Sequence, residues 1–201
     1  MVSAKNGSIL VDLYEYMDID FNETLFLSSL TTFLSTFEVD GFIVRLSSDN
    51  MHHIRNLSKV LHAVASKSRA ALGFESVHWQ EVKQANLTEC ATMSFVTLWP
   101  YDDGFTAAFN TEEYAKSLIK NATSAGVANS SLVVEIPLLA RSNYGSGDVG
   151  YSSMIYDFNA DPRGNGTVVV NATTGDMYYF ISQSQAVERC QLSDTLHVEG
   201  V

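Results

Sequence analysis

The sequence predicts an α/β fold in which parallel strands alternate with helices, and two observations carry that expectation. Short β-branched and aromatic runs recur along the chain, and apolar residues at helical spacing fill the stretches between them. Those intervening stretches are long enough to serve as crossovers, which parallel pairing requires. The run Gly41-Phe42-Ile43-Val44-Arg45-Leu46 is apolar except for Arg45, as expected of a parallel strand buried on both faces.

The elements follow in order. Ser8 to Tyr14 reads as a short strand, and Phe21 to Phe37 as a helix with Leu25, Leu27, Leu30, Phe33, Leu34 and Phe37 recurring at helical spacing and Asn22 as N-cap. After the strand at Gly41 to Leu46, Asn50 to Ser66 repeats the helical pattern through Ile54, Leu57, Val60, Leu61 and Val64. Arg69 to Phe74 and Ala91 to Leu98 read as strands, Thr111 to Ala122 as a helix capped by Thr111 with Glu112 and Glu113 in its first turn, and Ser131 to Leu139 as a fifth strand. Residues 142–178 are rich in Gly, Asn and Asp and read as a loop-dominated insertion with a hairpin ending in Val168-Val169-Val170. Gly175 to Cys190 reads as strand then helix, and Thr195 to Val201 as a last strand cut short.

Residues 1–201 are read as one domain, long enough for a sizeable core. Hydrophobic residues make up 46% and charged ones 17%, which is ordinary globular composition. A net charge of −11, with no basic run, argues against a nucleic-acid partner, and no apolar stretch has the length of a membrane span. Asn-x-Ser/Thr sequons begin at Asn6, Asn22, Asn56, Asn86, Asn121, Asn129, Asn165 and Asn171, eight of twelve asparagines. Chance would give about two or three, so the excess predicts a secreted, extracellular glycoprotein. The chain begins with nothing like a signal peptide, so part of an N-terminal region is expected to be missing from it. Cys90 and Cys190 could pair in an oxidising compartment or remain apart.

Several motifs fail on context. Gly145-Ser146-Gly147-Asp148-Val149-Gly150 spells GxGxxG, but no apolar helix opens after it. Asp157 to Asp161 starts like a calcium loop, yet the sixth position is Pro162 and the twelfth Val168, so a turn is expected. His52, His53 and His62 have no carboxylate or Cys at ligand spacing, so neither a metal nor any other cofactor is implied.

Four ordered segments resemble glycoside hydrolase family 18, the chitinases and chitinase-like proteins. Val39-Asp40-Gly41-Phe42 resembles the start of barrel strand four; Ser94 to Gly104, with Trp99-Pro100-Tyr101-Asp102, resembles strand six; Val134 to Ser142, with Ile136-Pro137 and Arg141-Ser142, resembles strand seven. The fourth is the insertion that follows, ending in Tyr178-Tyr179-Phe180 and a helix. The resemblance runs from about the third strand to the eighth and implies a partial (β/α)8 TIM-type barrel, with N-terminal units missing and the insertion after the seventh strand. It also implies that strand four should carry Asp-x-Asp-x-Glu, whose Glu protonates the leaving glycosidic oxygen. Here Ile43, Arg45 and Ser47 stand at those positions. Arg45 cannot release a proton and a serine hydroxyl without a base is no general acid, so hydrolysis by the family mechanism is not expected.

The strand-end rim holds other candidates. Glu15, Glu75, His78, Trp79, Tyr101, Asp102, Arg141 and Tyr144 would share it in a barrel, joined by Trp99. Tyr101, Asp102 and Arg141 match positions that contact sugar in the family, and Trp79 and Trp99 could stack on pyranose faces or simply cap the core. The expected partner is a chitin-like or N-acetylglucosamine-containing carbohydrate, or an extracellular protein. Two alternatives stand beside this inactive, carbohydrate-binding reading. One is an active glycoside hydrolase using Asp49, Glu75 or Asp102 as relocated acids; the other is a truncated product with no binding site.

Overall fold

The structure is a computed structural model, and it describes residues 9–13, 22–46, 71–76, 79–84, 92–100, 106–144 and 147–201. Contacts divide the chain into two compact units, Met1–Phe95 with Ser124–Ser131 and Val96–Thr123 with Leu132–Val201.

The first unit is built on parallel strands β1 (Leu10–Leu13), β2 (Gly41–Leu46), β3 (Ala71–Ser76) and the first residues of β4 (Met93–Thr97), adjacent in that order. Leu10 lies opposite Gly41 and Gly41 opposite Ala71, so the register is set at the start of β2. Asp40 fixes that start: its carboxylate accepts from the Ile9 N–H at 2.6 Å, and its own N–H donates to the Ile9 carbonyl at 2.8 Å.

Helix α1 (Glu23–Thr36) begins as the sequence predicts, with the Asn22 Oδ1 accepting from the Leu25 N–H at 3.0 Å. Its Ser and Thr hydroxyls donate back to helix carbonyls, Thr31 to Leu27 and Thr32 to Ser28 among them, which keeps a polar face satisfied. The apolar stripe is thin. Leu30 is buried and the Phe33 ring lies 6.1 Å from that of Phe42 on β2, while Leu25 is 63% exposed. Val11, Phe26, Leu30, Phe33 and Phe42 line a cleft of about 210 Å³. Helix α2 (Trp79–Gln84) buries Trp79 and Val82.

In the second unit, the Leu98 N–H after β4 donates to the Glu135 carbonyl of β5 (Leu132–Glu135) at 2.9 Å. Helix α3 (Glu112–Ser124) buries Tyr114, Ala115, Ile119 and Ala122, one face at helical spacing, and the Thr111 hydroxyl caps it by accepting from the Tyr114 N–H at 3.3 Å. The fifth strand ends at Glu135 rather than Leu139, because Pro137 has no N–H to continue a ladder.

The largest correction concerns residues 142–178. In place of a loop-dominated insertion, the chain forms an antiparallel sheet in the order β7-β6-β9-β8, from β6 (Leu139–Ser142), β7 (Asp148–Gly150), β8 (Thr167–Asn171) and β9 (Asp176–Phe180). The expected Val168-Val169-Val170 hairpin is the β8–β9 pair, although these valines open it instead of ending it. One face of the sheet packs Ala140, Tyr178 and Phe180 against Met154 of α4 (Tyr151–Tyr156) and against Ala160. Helix α5 (Gln183–Leu196) follows with a capping box between Ser182 and Gln185. It runs through Leu196 to His197, at φ 54°, so no terminal strand forms from Thr195; only Gly200 makes a single parallel bridge, to Val133.

Asn110 ties the second unit together. Its Nδ2 donates to the carbonyls of Gly166 at 3.0 Å and Phe180 at 3.1 Å, and its own carbonyl accepts from Gln185 Nε2 and Arg189 Nη2.

Candidate functional site

At the end of β4 the Trp99 N–H donates to the Thr97 carbonyl at 2.8 Å, a tight turn that carries the indole off the strand line. The Tyr114 hydroxyl donates to the Trp99 carbonyl at 2.8 Å, and the buried Phe109 ring lies 5.5 Å from the indole at a 60° tilt. Trp99 is therefore held from behind while staying partly accessible.

Arg141 also reaches this indole. It sits on β6 opposite Asp148 of β7 and Tyr179 of β9, and residues directly opposite share a sheet face. That face is the reverse of the Ala140–Tyr178–Phe180 cluster. The Arg141 guanidinium carbon lies 5.7 Å from the Trp99 ring centre, and its Nη1 lies 3.5 Å from Asp148 Oδ1. At this separation a cation over an indole contributes about 0.5–1 kcal/mol, and the partly exposed ion pair adds about as much at most. Their joint effect is to hold the guanidinium beside the indole. Together they offer an aromatic surface beside a planar set of donors, a combination suited to a sugar's apolar face and its hydroxyl or amide oxygens.

The other expected residues divide between placement elsewhere and lying outside the described residues. Ile43 is half-buried on β2, between Asp12 of β1 and Gly73 of β3. Arg45 stands opposite Glu75, and Glu75 in turn opposite Phe95. Trp79 opens α2 at 4% exposed, so its indole is packed into the unit and presents no free face to a sugar. Tyr144 is 40% exposed and meets Tyr178 edge-on at 5.6 Å, a ring on the opposite sheet face from Arg141. Ser47, Asp49, Tyr101 and Asp102 lie outside the described residues, as do Glu15, His52, His53, His62, His78 and Cys90. Cys190 is exposed on α5 with a free thiol. Asn22, Asn121, Asn129, Asn165 and Asn171 are all exposed, while Asn6, Asn56 and Asn86 lie outside the described residues.

Two residues escaped the sequence reading. Asp148, the partner of Arg141, lies within the discarded GxGxxG stretch. Glu135, at the end of β5, accepts a 2.6 Å hydrogen bond from the Thr97 hydroxyl. A lone carboxylate in the apolar run Leu132 to Leu139 was the available signal. Among the described residues no group of His, Cys, Asp and Glu could hold a metal ion, and no helix is long and apolar enough to cross a membrane.

No family profile matches the chain, and no curated protein matches it by sequence. Solved structures do match. The chitinase ChiA74 from Bacillus thuringiensis aligns with 99% of this chain at 15% identity and a TM-score of 0.67, and this chain spans 46% of it. The spore cortex-lytic enzyme SleL from Bacillus megaterium aligns with 99% at 9% identity and a TM-score of 0.69, and 56% of it is spanned. Human YKL-39, a pseudo-chitinase with retained chitooligosaccharide binding properties, aligns with 98% at 13% identity and a TM-score of 0.66, with 74% of its chain spanned. The chain therefore shares its fold with part of the glycoside hydrolase family 18 chitinases and chitinase-like proteins.

Proposed function

We propose that this chain is a secreted, glycosylated chitinase-like protein, built on part of a (β/α)8 barrel, that binds N-acetylglucosamine-containing glycans without hydrolysing them. The observation that carries the proposal is chemical: β2 holds Ile43 and Arg45 where the family resemblance calls for carboxylic acids. Glycoside hydrolysis needs a proton donor at the leaving oxygen; Ser47 stands at the donor's position in the sequence and its hydroxyl without a base is no general acid, and neither Ile43 nor Arg45 can supply the proton instead. Sugar binding makes no such demand. Trp99 and Arg141 keep an aromatic surface and hydrogen-bond donors side by side, and a neighbour of like fold, human YKL-39, is a pseudo-chitinase that binds chitooligosaccharides.

The test is calorimetric titration with a chitooligosaccharide beside a turnover assay on the same ligand. Saturable binding without turnover is expected, weakened up to about tenfold by Trp99→Ala, the size of one lost stacking contact, and less by Arg141→Ala. Turnover abolished by Asp102→Asn or Glu75→Gln would overturn the proposal in favour of an active hydrolase with relocated acids. Neither binding nor turnover from a cooperatively folded chain would leave a product without a binding site.

A further inference from the structure

Among the described residues, strand β8 is an edge of the antiparallel sheet, paired only with β9. Its sequence Thr167-Val168-Val169-Val170-Asn171 is β-branched at four successive positions and has no charge and no proline. Val169 is 56% and Val170 43% exposed. An apolar edge of this kind is a template for pairing with a second copy, and proteins blunt such edges with Lys, Pro, short strands or bulges. The opposite edge, β7, is blunted by being three residues long. Strand β8 has only one irregularity, between Val169 and Asn171.

What it has besides is a sequon at each end. Asn165-Gly166-Thr167 leads into the strand and Asn171-Ala172-Thr173 leads out. Both asparagines are exposed, and both are held the same way: Asn165 Oδ1 accepts from the Thr167 N–H at 3.1 Å, and Asn171 Oδ1 from the Thr173 N–H at 3.0 Å. The oxygen is used in each, while neither Nδ2, the atom a glycan is attached to, has a hydrogen-bond partner among the described residues. The two asparagines are six positions apart, at most about 20 Å of extended chain.

We propose that Asn165 and Asn171 carry N-glycans whose role is to shield the β8 edge, keeping two copies of the chain from pairing through it. The donor is a lipid pyrophosphate-linked oligosaccharide. Nδ2 forms a bond to C1 of its first N-acetylglucosamine, the C1–O bond to pyrophosphate breaks, the lipid pyrophosphate leaves with that electron pair, and Nδ2 loses one proton. Oδ1 is untouched, so both turns persist in the glycosylated chain.

The inference rests on the secretory placement proposed above but not on sugar binding. Its test expresses the full chain behind a secretion leader in a eukaryotic host, maps occupancy by glycopeptide mass spectrometry and measures mass by light scattering. Occupancy at both sites and a monomer are expected. Thr167→Val with Thr173→Val removes both sequons and keeps both asparagines, and should at least double the mean mass; adding Val169→Lys should restore the monomer. Trimming the folded parent to single N-acetylglucosamines should also drive association, which decides the matter if the double variant fails to fold. Bare Asn165 and Asn171 beside glycosylated Asn22, Asn121 and Asn129 would overturn the inference alone, and eight bare sequons would overturn the secretory placement with it. A double variant or trimmed parent that stays monomeric, or an intact parent that associates, would overturn the shielding role.

Discussion

The two units of the chain are held together by different means. In the first, parallel strands rest on apolar contact with a thin stripe of α1, leave Leu25 and Phe37 exposed and a cleft beside Phe42, and add the Asp40 clamp at the surface. In the second, a buried polar node at Asn110 joins a turn, a hairpin end, the last residue of β9 and helix α5 through four hydrogen bonds. Apolar burial is roughly proportional to area and tolerates rearrangement, whereas a satisfied buried network demands one geometry. The second unit should therefore respond far more sharply to single substitutions.

Glycine substitution gives the largest contrast. Gly166 has φ 72°, and a Cβ there would lie 2.2 Å from the Phe180 carbonyl oxygen and 2.4 Å from Gln185 Oε1, so the backbone of β9 or the Asn110 node must shift. Gly166→Ala should cost about 3 kcal/mol or more in chemical denaturation, combining left-handed strain with the clash. Gly126 of the first unit has φ 105° with open space around it, so Gly126→Ala should cost only the strain, about 1–2 kcal/mol. Equal losses at the two positions would break the comparison.

Hydrogen-bond deletion comes next. Asn110→Ala removes both Nδ2 donors and leaves the buried Phe180 carbonyl short of a partner, for an expected loss of about 2–3 kcal/mol. Asp40→Ala removes the 2.6 Å bond to the Ile9 N–H, but that group is exposed and water replaces the carboxylate, so the loss should be about 1 kcal/mol or less. Melting both variants beside the parent checks the order.

The same contrast explains what could be read from the sequence. Gly41 to Leu46 announces a parallel strand because its apolar run is broken only by Arg45, and α1 and α3 announce themselves through apolar spacing and the caps at Asn22 and Thr111. The antiparallel sheet shows only in part: the β8–β9 hairpin is legible, its pairing with β6 and β7 is not. Its strands are three to five residues long, and its core is gathered from scattered positions, Ala140, Met154, Ala160, Tyr178 and Phe180, so no window of sequence shows a period. Within the site, Trp99 and Arg141 were legible as types that contact sugars, but their mutual packing depends on β6 pairing with β7 and β9, which local pattern does not specify.

Arg189 tests whether the second unit's polar interior is costly to keep charged. It is 1% exposed; its Nη2 donates to the Asn110 carbonyl, while its Nε and Nη1 have no hydrogen-bond partner among the described residues. Burial lowers its pKa, and Glu188, Glu112 and Glu113 partly offset that. Arg189→Met removes a poorly solvated cation and leaves the Asn110 carbonyl its bond from Gln185, so stability should change by no more than about 1 kcal/mol and could rise. A loss as large as that of Asn110→Ala would show that Arg189, rather than Asn110, is the centre of the node.

The smallest effect belongs to Glu112, which pairs with Lys116 one turn along α3. The Lys116 hydrogen bond and charge hold its pKa below the ordinary 4.5. A carboxylate whose folded pKa is depressed contributes stability above its unfolded pKa and loses it as pH falls through the lower folded value. The pair is exposed and screened by solvent, so Glu112→Gln should leave the melting temperature at pH 7 unchanged within error and only flatten the fall in stability below pH 4.5. A clear loss at pH 7 would mean that Glu112 acts through the buried Arg189, and the line between surface charge and buried network would have to be redrawn to include it.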